Sequence, residues 1–352
     1  MDQRGRLLWA DATRGVGILA VVLFHVLIWH HDRDFGEATG AAIIWGPIDS
    51  LLGSARMPVL LAVAGIFAAR GLLGGWRTRK TQARFVSNYY LYVVWLVIYF
   101  AVDAALRFPD FPHVVPSLED FALQLIVPGT SLWFLMALGA YAVVVGAAVA
   151  LRAPVWVMLS TGVVLWGVGT FVEMPEMASK MPANLIFFMV GVYFADRLRS
   201  VAEQSVRVRL AWAIPFVVAS VVKLAPVTGA ADATAGLVAS LASVPAAIAL
   251  VSIACAWEPF ARAARYLGSR TLVIYVLHPI VIMLWATLLD VAPWSSVMRN
   301  PILDLAYPVL LTGAVVVACL AVQRALSLIP SDPLFVPPRR LVPSTQENPT
   351  RR

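Results

Sequence analysis

Stretches of about twenty consecutive apolar residues recur along most of the chain, and they constrain its fold more than any other feature. A helix needs roughly 20 mostly apolar residues to span the hydrocarbon core of a bilayer, and about 17 suffice. Of the 352 residues, 60% are hydrophobic and 13% are charged, whereas a water-soluble domain has about 45 to 50% apolar and about 25% charged residues. The sequence therefore predicts an all-α, polytopic membrane helix bundle.

The apolar stretches predict about ten transmembrane helices. The sixth and seventh are short, and they contain Asn184 and Pro215, respectively. In chain order, the predicted spans are Gly15 to His31, Leu51 to Leu72, Phe85 to Leu106, Leu132 to Leu151, Val155 to Phe171, Ala183 to Phe194, Leu210 to Leu224, Ala235 to Trp257, Thr271 to Leu289, and Leu305 to Leu326.

The distribution of charge predicts that both termini are cytoplasmic. An even number of spans places the termini on one side, and Lys and Arg residues concentrate on the cytoplasmic side of membrane proteins. With both termini inside, 21 of the 27 Lys and Arg residues fall on the inner side, whereas 13 of the 20 Asp and Glu residues fall on the outer side. A count that differed by one helix would mix the basic and acidic residues between the two sides.

The apolar pattern also sets the domain organisation. We predict one membrane-embedded domain over residues 1–329 and a Pro-rich, disordered cytoplasmic tail over residues 330–352.

The basic residues are scattered between apolar runs, which argues against a nucleic-acid partner. The two cysteines, Cys255 and Cys319, lie within apolar segments, so neither a disulfide framework nor a cysteine-based metal site is predicted.

Ionisable residues within a span are costly unless they face the bundle or water, so they are candidate functional residues. His25 lies eleven positions after Arg14 in the sequence. On a helix, eleven steps amount to about three turns plus about 20° and a rise of about 16 Å. Both side chains therefore share one face, and Asp11 can pair with Arg14. A histidine exchanges a proton near neutral pH, as the activation of a hydroxyl for acyl transfer requires.

A purely structural interpretation of these two residues stays open. An intramembrane histidine can bind a neighbouring helix, and an arginine at a helix end can extend its charged head toward water. The second histidine within a span, His278, precedes Pro279 and is either a helper in the site or a structural partner for a distorted helix. We expect His30 and His31, beside Asp32, to lie on the solvated outer surface.

The inner loop that follows the second predicted span is strongly basic and has no acidic residue. Such residues are explained by membrane orientation and anionic lipid headgroups. They are equally suited to the phosphates of a cytosolic nucleotide or coenzyme, because the planar guanidinium matches phosphate geometry. The basic residues are Arg70, Arg77, Arg79, Lys80 and Arg84.

Four motifs, which occur in order between about residue 6 and about residue 285, resemble those of the integral-membrane acyltransferase type 3 family, in particular its branch near fucose 4-O-acetylases. They are Asp11 to Arg14 followed by His25, Met57 to Gly65, Trp133 to Leu135, and Tyr275 to His278. Two departures are visible. Ala64 replaces the usual Ser, and Thr81 stands at the first position of the family's Arg-x-x-Arg motif, of which Arg84 supplies the second arginine.

The resemblance implies an O-acyltransferase that uses an acyl-CoA donor, with acetyl-CoA expected, and a hydroxyl-bearing glycan or glycoconjugate acceptor. His25 would be the catalytic base or a transient acyl acceptor, and Arg14 would contact the donor or orient the catalytic group. The residues implied in substrate or cofactor binding are Asp11, Arg79, Lys80, Arg84, Trp133, Tyr275 and His278. No metal is predicted, and the expected location is a bacterial cytoplasmic membrane, in contact with its lipids.

Two other classes of function fit a polytopic chain with intramembrane His and Arg residues. A secondary transporter or exporter of a small molecule or lipid-linked sugar usually has two related halves with interrupted helices at corresponding positions. We find no such symmetry in the sequence. A non-catalytic membrane component of a surface-polymer machine is the third interpretation.

Overall fold

The computed structural model of the protein describes residues 8–35, 42–76, 78–107, 111–223, 228–289, 297–328 and 332–342. Within these residues the fold is all-helical and has no β-strand. The helices are α1 (Leu8–Val26), α2 (Asp32–Phe35), α3 (Ala42–Gly53), α4 (Arg56–Leu72), α5 (Arg79–Leu106), α6 (Leu118–Gln124), α7 (Trp133–Ala150), α8 (Val155–Phe171), α9 (Glu176–Tyr193), α10 (Ala195–Val201), α11 (Val206–Ala211), α12 (Ala213–Lys223), α13 (Ala230–Ala254), α14 (Glu258–Gly268), α15 (Thr271–Leu288), α16 (Pro301–Leu326) and α17 (Asp332–Phe335). A five-residue π-helical turn, Leu27–His31, connects α1 to α2.

Seven stretches of the described residues are long and apolar enough to cross a membrane, or eight if the bent pair α9 and α10 forms one span. The predicted membrane helix bundle is thereby confirmed at this coarser level. The seven are Leu8–Phe35, Ile43–Leu72, Arg79–Leu106, Trp133–Ala150, Ala230–Ala254, Thr271–Leu288 and Pro301–Leu326.

The remaining three predicted spans differ from a single long helix for local reasons. The fifth is α8, an apolar helix of 17 residues. The sixth lies in α9, which meets α10 at a bend of 78°. The seventh is divided at Trp212 into α11 and α12, and Pro215, which cannot donate a backbone hydrogen bond, lies in the first turn of α12. Its predicted last residue, Leu224, lies outside the described residues.

One compact unit comprises Met1–Val63 and Asp196–Leu328. Within it, α1 packs most extensively on α14 and also contacts α13, α15 and α16. α1 is therefore surrounded by helices that come from the second half of the sequence. The start of α16 is well defined, because the side chain of Asn300 accepts hydrogen bonds from the backbone N–H groups of Ile302 and Leu303, and Pro301 occupies the first turn.

The other compact unit comprises Ala64–Ala195 and Ile329–Arg352. Within it, α7 packs against α5 and α9, and α9 packs against α8. The short helix α17 lies on α5, where Trp95 Nε1 donates to Leu334 O at 2.7 Å and the rings of Trp95 and Phe335 are 5.6 Å apart. Residues 330–331 and 343–352 of the predicted tail lie outside the described residues, and the domain boundary at residue 330 stays a prediction.

Candidate active site

Arg14 lies in the second turn of α1 and is held by two neighbours. Its Nη1 is 3.6 Å from Asp11 Oδ1, and its side chain is 36% exposed. Its Nη2 donates to Thr271 Oγ1 at 2.7 Å, and that hydroxyl donates in turn to Gly268 O at 3.1 Å. The structure therefore places Asp11 against Arg14 and fixes the guanidinium at the start of α15.

The backbones of α1 and α14 approach each other closely beside this arginine. A Cβ atom on Gly15 would lie 2.0 Å from Ala264 O, and a Cβ atom on Gly268 would lie 1.8 Å from Asp11 O. Both distances are far below van der Waals contact, so both positions require the absence of a side chain. The carbonyl oxygen of Gly268 also accepts a hydrogen bond from the hydroxyl of Thr271. The close approach of α1 and α14 therefore sets the position of Thr271, which binds Arg14.

His25 forms a hydrogen bond with His278, which is 253 residues later in the sequence. His25 Nδ1 and His278 Nε2 are 2.9 Å apart, and the other ring nitrogen of His278, Nδ1, is 2.9 Å from Ile274 O. A carbonyl oxygen only accepts, so His278 Nδ1 is a donor, and in the neutral ring Nε2 is then an acceptor. His25 therefore donates from Nδ1 and carries its lone pair on Nε2.

This tautomer is the one that a general base needs. A base gains strength and direction when a third group holds its other nitrogen, as in the triads of hydrolases. His278 has that position here, because its side chain is completely buried and hydrogen-bonded at both nitrogens. The arrangement lets His25 accept a proton at Nε2 while the charge that develops on the ring is shared toward His278.

Arg14 and His25 both point at α15, as their shared face on α1 predicts. Their partners on that helix, Thr271 and His278, are seven residues apart, which is close to two helical turns. His25 itself is half-buried, and its ring centroid lies 4.2 Å from that of Trp29 and 5.0 Å from that of Phe24. The half-buried Tyr275 lies one turn before His278, with the two ring centroids 6.3 Å apart.

The role of His278 can be tested with two substitutions of similar size. We expect His278→Leu to lower the rate of any reaction in which His25 is the base by about one to two orders of magnitude, because nothing then fixes the tautomer of His25. His278→Gln retains a carbonyl oxygen that can accept from His25 Nδ1, so we expect it to keep a larger fraction of the rate. Equal rates for the two variants, at equal amounts of folded protein, would show that His278 only fills space.

The other unit contains the remaining basic candidates. Arg79 and Lys80 are exposed in the first turn of α5, and Arg84, one turn later, is half-buried and donates from Nη2 to Phe67 O at 2.8 Å. Arg77 of the basic loop lies outside the described residues. The exposed heads of Arg79 and Lys80 are thus accessible to an anion, whereas the guanidinium of Arg84 also ties α5 to the end of α4.

Thr81, at the first position of the incomplete arginine motif, is a buried structural residue. Its side chain is fully buried, and its Oγ1 donates to Gly71 O at 3.3 Å and lies 2.8 Å from Thr78 Oγ1. A Cβ atom on Gly146 would lie 2.7 Å from Thr81 Cγ2, so Thr81 packs closely against the Gly146 position of α7. Trp133, the first residue of α7, is also buried and packs edge-on against Phe134.

The expectation that His30 and His31 lie on the solvated surface is wrong. Both side chains are completely buried. His31 Nε2 lies 2.7 Å from Asp304 Oδ1, and His30 Nε2 lies 2.7 Å from the hydroxyl of Tyr307. The π-helical turn rotates both rings toward α16. In the sequence, the one indication of these partners was Asp304, a carboxylate one residue before the last predicted span.

Comparison with known proteins decides the family. The family model described as an acyltransferase domain, Acyl_transf_3, matches residues 7–324, which is most of the chain. The chain belongs to this acyltransferase family. No curated protein and no solved structure gives a match.

The protein is therefore an integral membrane acyltransferase, and it acts on an acyl donor and an acceptor in a lipid environment. The matched range includes the residues of the candidate site, from Asp11 to Tyr307. In the part of the acyltransferase that the structure describes, no group of three or more His, Cys, Asp or Glu side chains is arranged to hold a metal ion.

Proposed function

We propose that this acyltransferase moves an acyl group, specifically acetyl, from acetyl-CoA to a hydroxyl of a sugar in a cell-surface glycan or glycosylated metabolite, as fucose 4-O-acetylase-like proteins would. The observation that carries the proposal is the hydrogen-bonded series from Ile274 O through His278 to His25 Nδ1. It leaves Nε2 of His25 as the basic nitrogen.

In the direct reaction, the acceptor hydroxyl gives its proton to His25 Nε2 while its oxygen attacks the carbonyl carbon of the thioester. The tetrahedral intermediate collapses as the carbon–sulfur bond breaks, and His25 returns the proton to the departing sulfur. The products are the acyl ester and free coenzyme A, and the imidazole regains its starting tautomer. General acid–base catalysis of this kind contributes about 10² to 10⁴ to a rate.

A two-step route uses the same nitrogen as a nucleophile and passes through an acyl-histidine. Quenching after incubation with radiolabelled acetyl-CoA, in the absence of acceptor, distinguishes the routes. Label that stays on the wild-type protein, and is absent from the His25→Ala variant, supports the two-step route. A wild-type protein that carries no label in this experiment, but transfers label once acceptor is added, supports the direct route.

We assign donor binding to the basic side chains. Arg14 is partly exposed and is oriented by Asp11 and Thr271, so its guanidinium is prepared to bind an anionic group. Arg79 and Lys80 are exposed in the first turn of α5, where coenzyme phosphates would find two cations. On the family resemblance, we also assign Arg84, Trp133 and Tyr275 to substrate binding.

Substitution of Arg14 tests this assignment. We expect Arg14→Gln to raise the acetyl-CoA concentration for half-maximal rate by about tenfold or more, which corresponds to the loss of a charge-assisted hydrogen bond of roughly 1.5 to 3 kcal/mol. Arg262→Gln is the matched control, because Arg262 is 74% exposed in α14 and pairs only loosely with Glu258. An unchanged half-saturation value for Arg14→Gln would remove this residue from donor binding.

We further propose ten spans with both termini in the cytoplasm, in a bacterial cytoplasmic membrane. The asymmetry of Lys and Arg residues supports this topology. With it, the basic loop before α5 faces the cytosolic donor, while the more acidic outer loops suit a neutral sugar. A periplasm-dependent reporter fused after Arg352 should be inactive, and activity of that fusion would refute the arrangement.

Comparison of cells with and without the gene tests the acceptor assignment. Mass spectrometry of surface glycans and extracted glycolipids should show the loss of one acetyl unit from a defined species when the gene is deleted. An unchanged acyl pattern, combined with loss of uptake or export of a small molecule, would favour a transporter instead.

A further inference from the structure

The π-helical turn Leu27–His31 immediately follows the helix that carries His25. Such turns are rare and occur frequently at functional sites. In a regular α-helix, residues four apart are offset by about 40° around the axis, and a π-helical turn winds fewer degrees per residue, so it reduces that offset. Trp29 is thereby brought over His25, with ring centroids 4.2 Å apart and an interplanar angle of 37°.

Four hydrogen bonds fix this turn. His31 Nδ1 lies 2.9 Å from Asp32 Oδ1, and His30 Nδ1 binds Asp34 Oδ2. The other nitrogens of both rings bind α16, through the carboxylate and hydroxyl described above. Because every ring nitrogen of the two buried histidines has a partner, each ring is held in one orientation and the turn is pinned to α16.

We propose that Trp29 is a positioning residue for His25, and that the π-helical turn, pinned to α16 through Asp304 and Tyr307, sets the indole against the imidazole. This inference rests on the proposed role of His25 as the base. Trp29 is buried, with 3% of its surface exposed, so its ring has little freedom to move away. It restricts rotation of the imidazole and keeps Nδ1 directed at His278.

The same contact favours the charged state that forms during the reaction. When His25 takes the acceptor proton it becomes a cation, and the face of an aromatic ring within about 6 Å attracts a cation, with Trp the most effective. Phe retains a weaker version of this attraction, and an aliphatic side chain has none. The rate of acyl transfer should therefore decrease from Trp to Phe to Leu at position 29.

The experiment measures transfer of radiolabelled acetyl from acetyl-CoA to the glycan and lipid fractions of membrane vesicles. At saturating acetyl-CoA, we expect Trp29→Leu to lower the rate by about tenfold or more and Trp29→Phe to lower it by about threefold or less. The half-saturating acetyl-CoA concentration should change by less than about twofold in both. Ile28→Leu, at an exposed position of the same turn, is the matched control and should resemble the wild type.

Two further variants make the inference falsifiable. Asp304→Asn keeps the shape of the anchor but removes its charge, and we expect the rate to fall with an unchanged half-saturation value. Equal rates for Trp29→Phe and Trp29→Leu, or full recovery of both rates after correction for folded protein, would overturn the positioning role. If His25→Ala were active, the proposed base itself would fail; if His25→Ala is inactive while Trp29→Leu is fully active, only the positioning role fails.

Discussion

Replacing His25 with Ala should abolish acyl transfer, with a fall in rate of about 10² to 10⁴ at saturating acetyl-CoA. The variant removes the nitrogen that accepts the hydroxyl proton, and we expect His278 not to replace it, since the side chain of His278 is completely buried behind His25. The rate is measured as radiolabelled acetyl in the glycan and lipid fractions of vesicles that contain equal amounts of folded protein.

The control for this experiment removes a different imidazole. His113 lies outside the candidate spans and has a positive φ of 67°, a conformation that Asn tolerates better than most residues. We therefore expect His113→Asn to transfer acetyl at the wild-type rate. Transfer by His25→Ala at more than about one tenth of the wild-type rate would exclude His25 as the base.

Replacing Gly268 with Ala should destabilise the protein by about 3 kcal/mol and eliminate most of its activity. The added methyl group would lie 1.8 Å from Asp11 O, and a backbone atom cannot move aside without displacing the first turns of α1. That displacement would separate Arg14 from Thr271 at the same time. Thermal unfolding of the detergent-solubilised protein and acetyl transfer in vesicles measure the two effects.

Gly313 provides the matched control within another helix. A Cβ atom at this position of α16 meets nothing within 4 Å, and Ala is the better helix former by up to about 1 kcal/mol. Gly313→Ala should therefore leave stability unchanged or raise it slightly. If Gly268→Ala unfolded at the same temperature as Gly313→Ala, the close approach of α1 and α14 would be absent from the protein in solution.

The sequence was sufficient to predict the helical membrane fold, because the length of an apolar run and the thickness of a bilayer are directly comparable quantities. It was less able to predict where a helix breaks. The division of the seventh predicted span at Trp212 and the 78° bend after α9 depend on the backbone and its neighbours. A window of hydropathy does not contain that information.

For the candidate site, helical periodicity placed Arg14 and His25 on one face of α1, and the structure directs both toward α15. The partner of His25 was beyond such reasoning, because a hydrogen bond across 253 residues is made by packing and leaves no local pattern. The burial of His30 and His31 was missed for a related reason. A π-helical turn changes the angular spacing on which every periodicity argument depends.

The hydrogen bond from the Trp95 indole to Leu334 O affects how the chain can be shortened or tagged in the laboratory. Trp95 is buried on α5, and its indole N–H donates to the backbone of the segment that follows α16. Shortening the chain to residue 328 would therefore leave a buried donor without its acceptor. Purification tags belong beyond Arg352 rather than in place of the C-terminal segment.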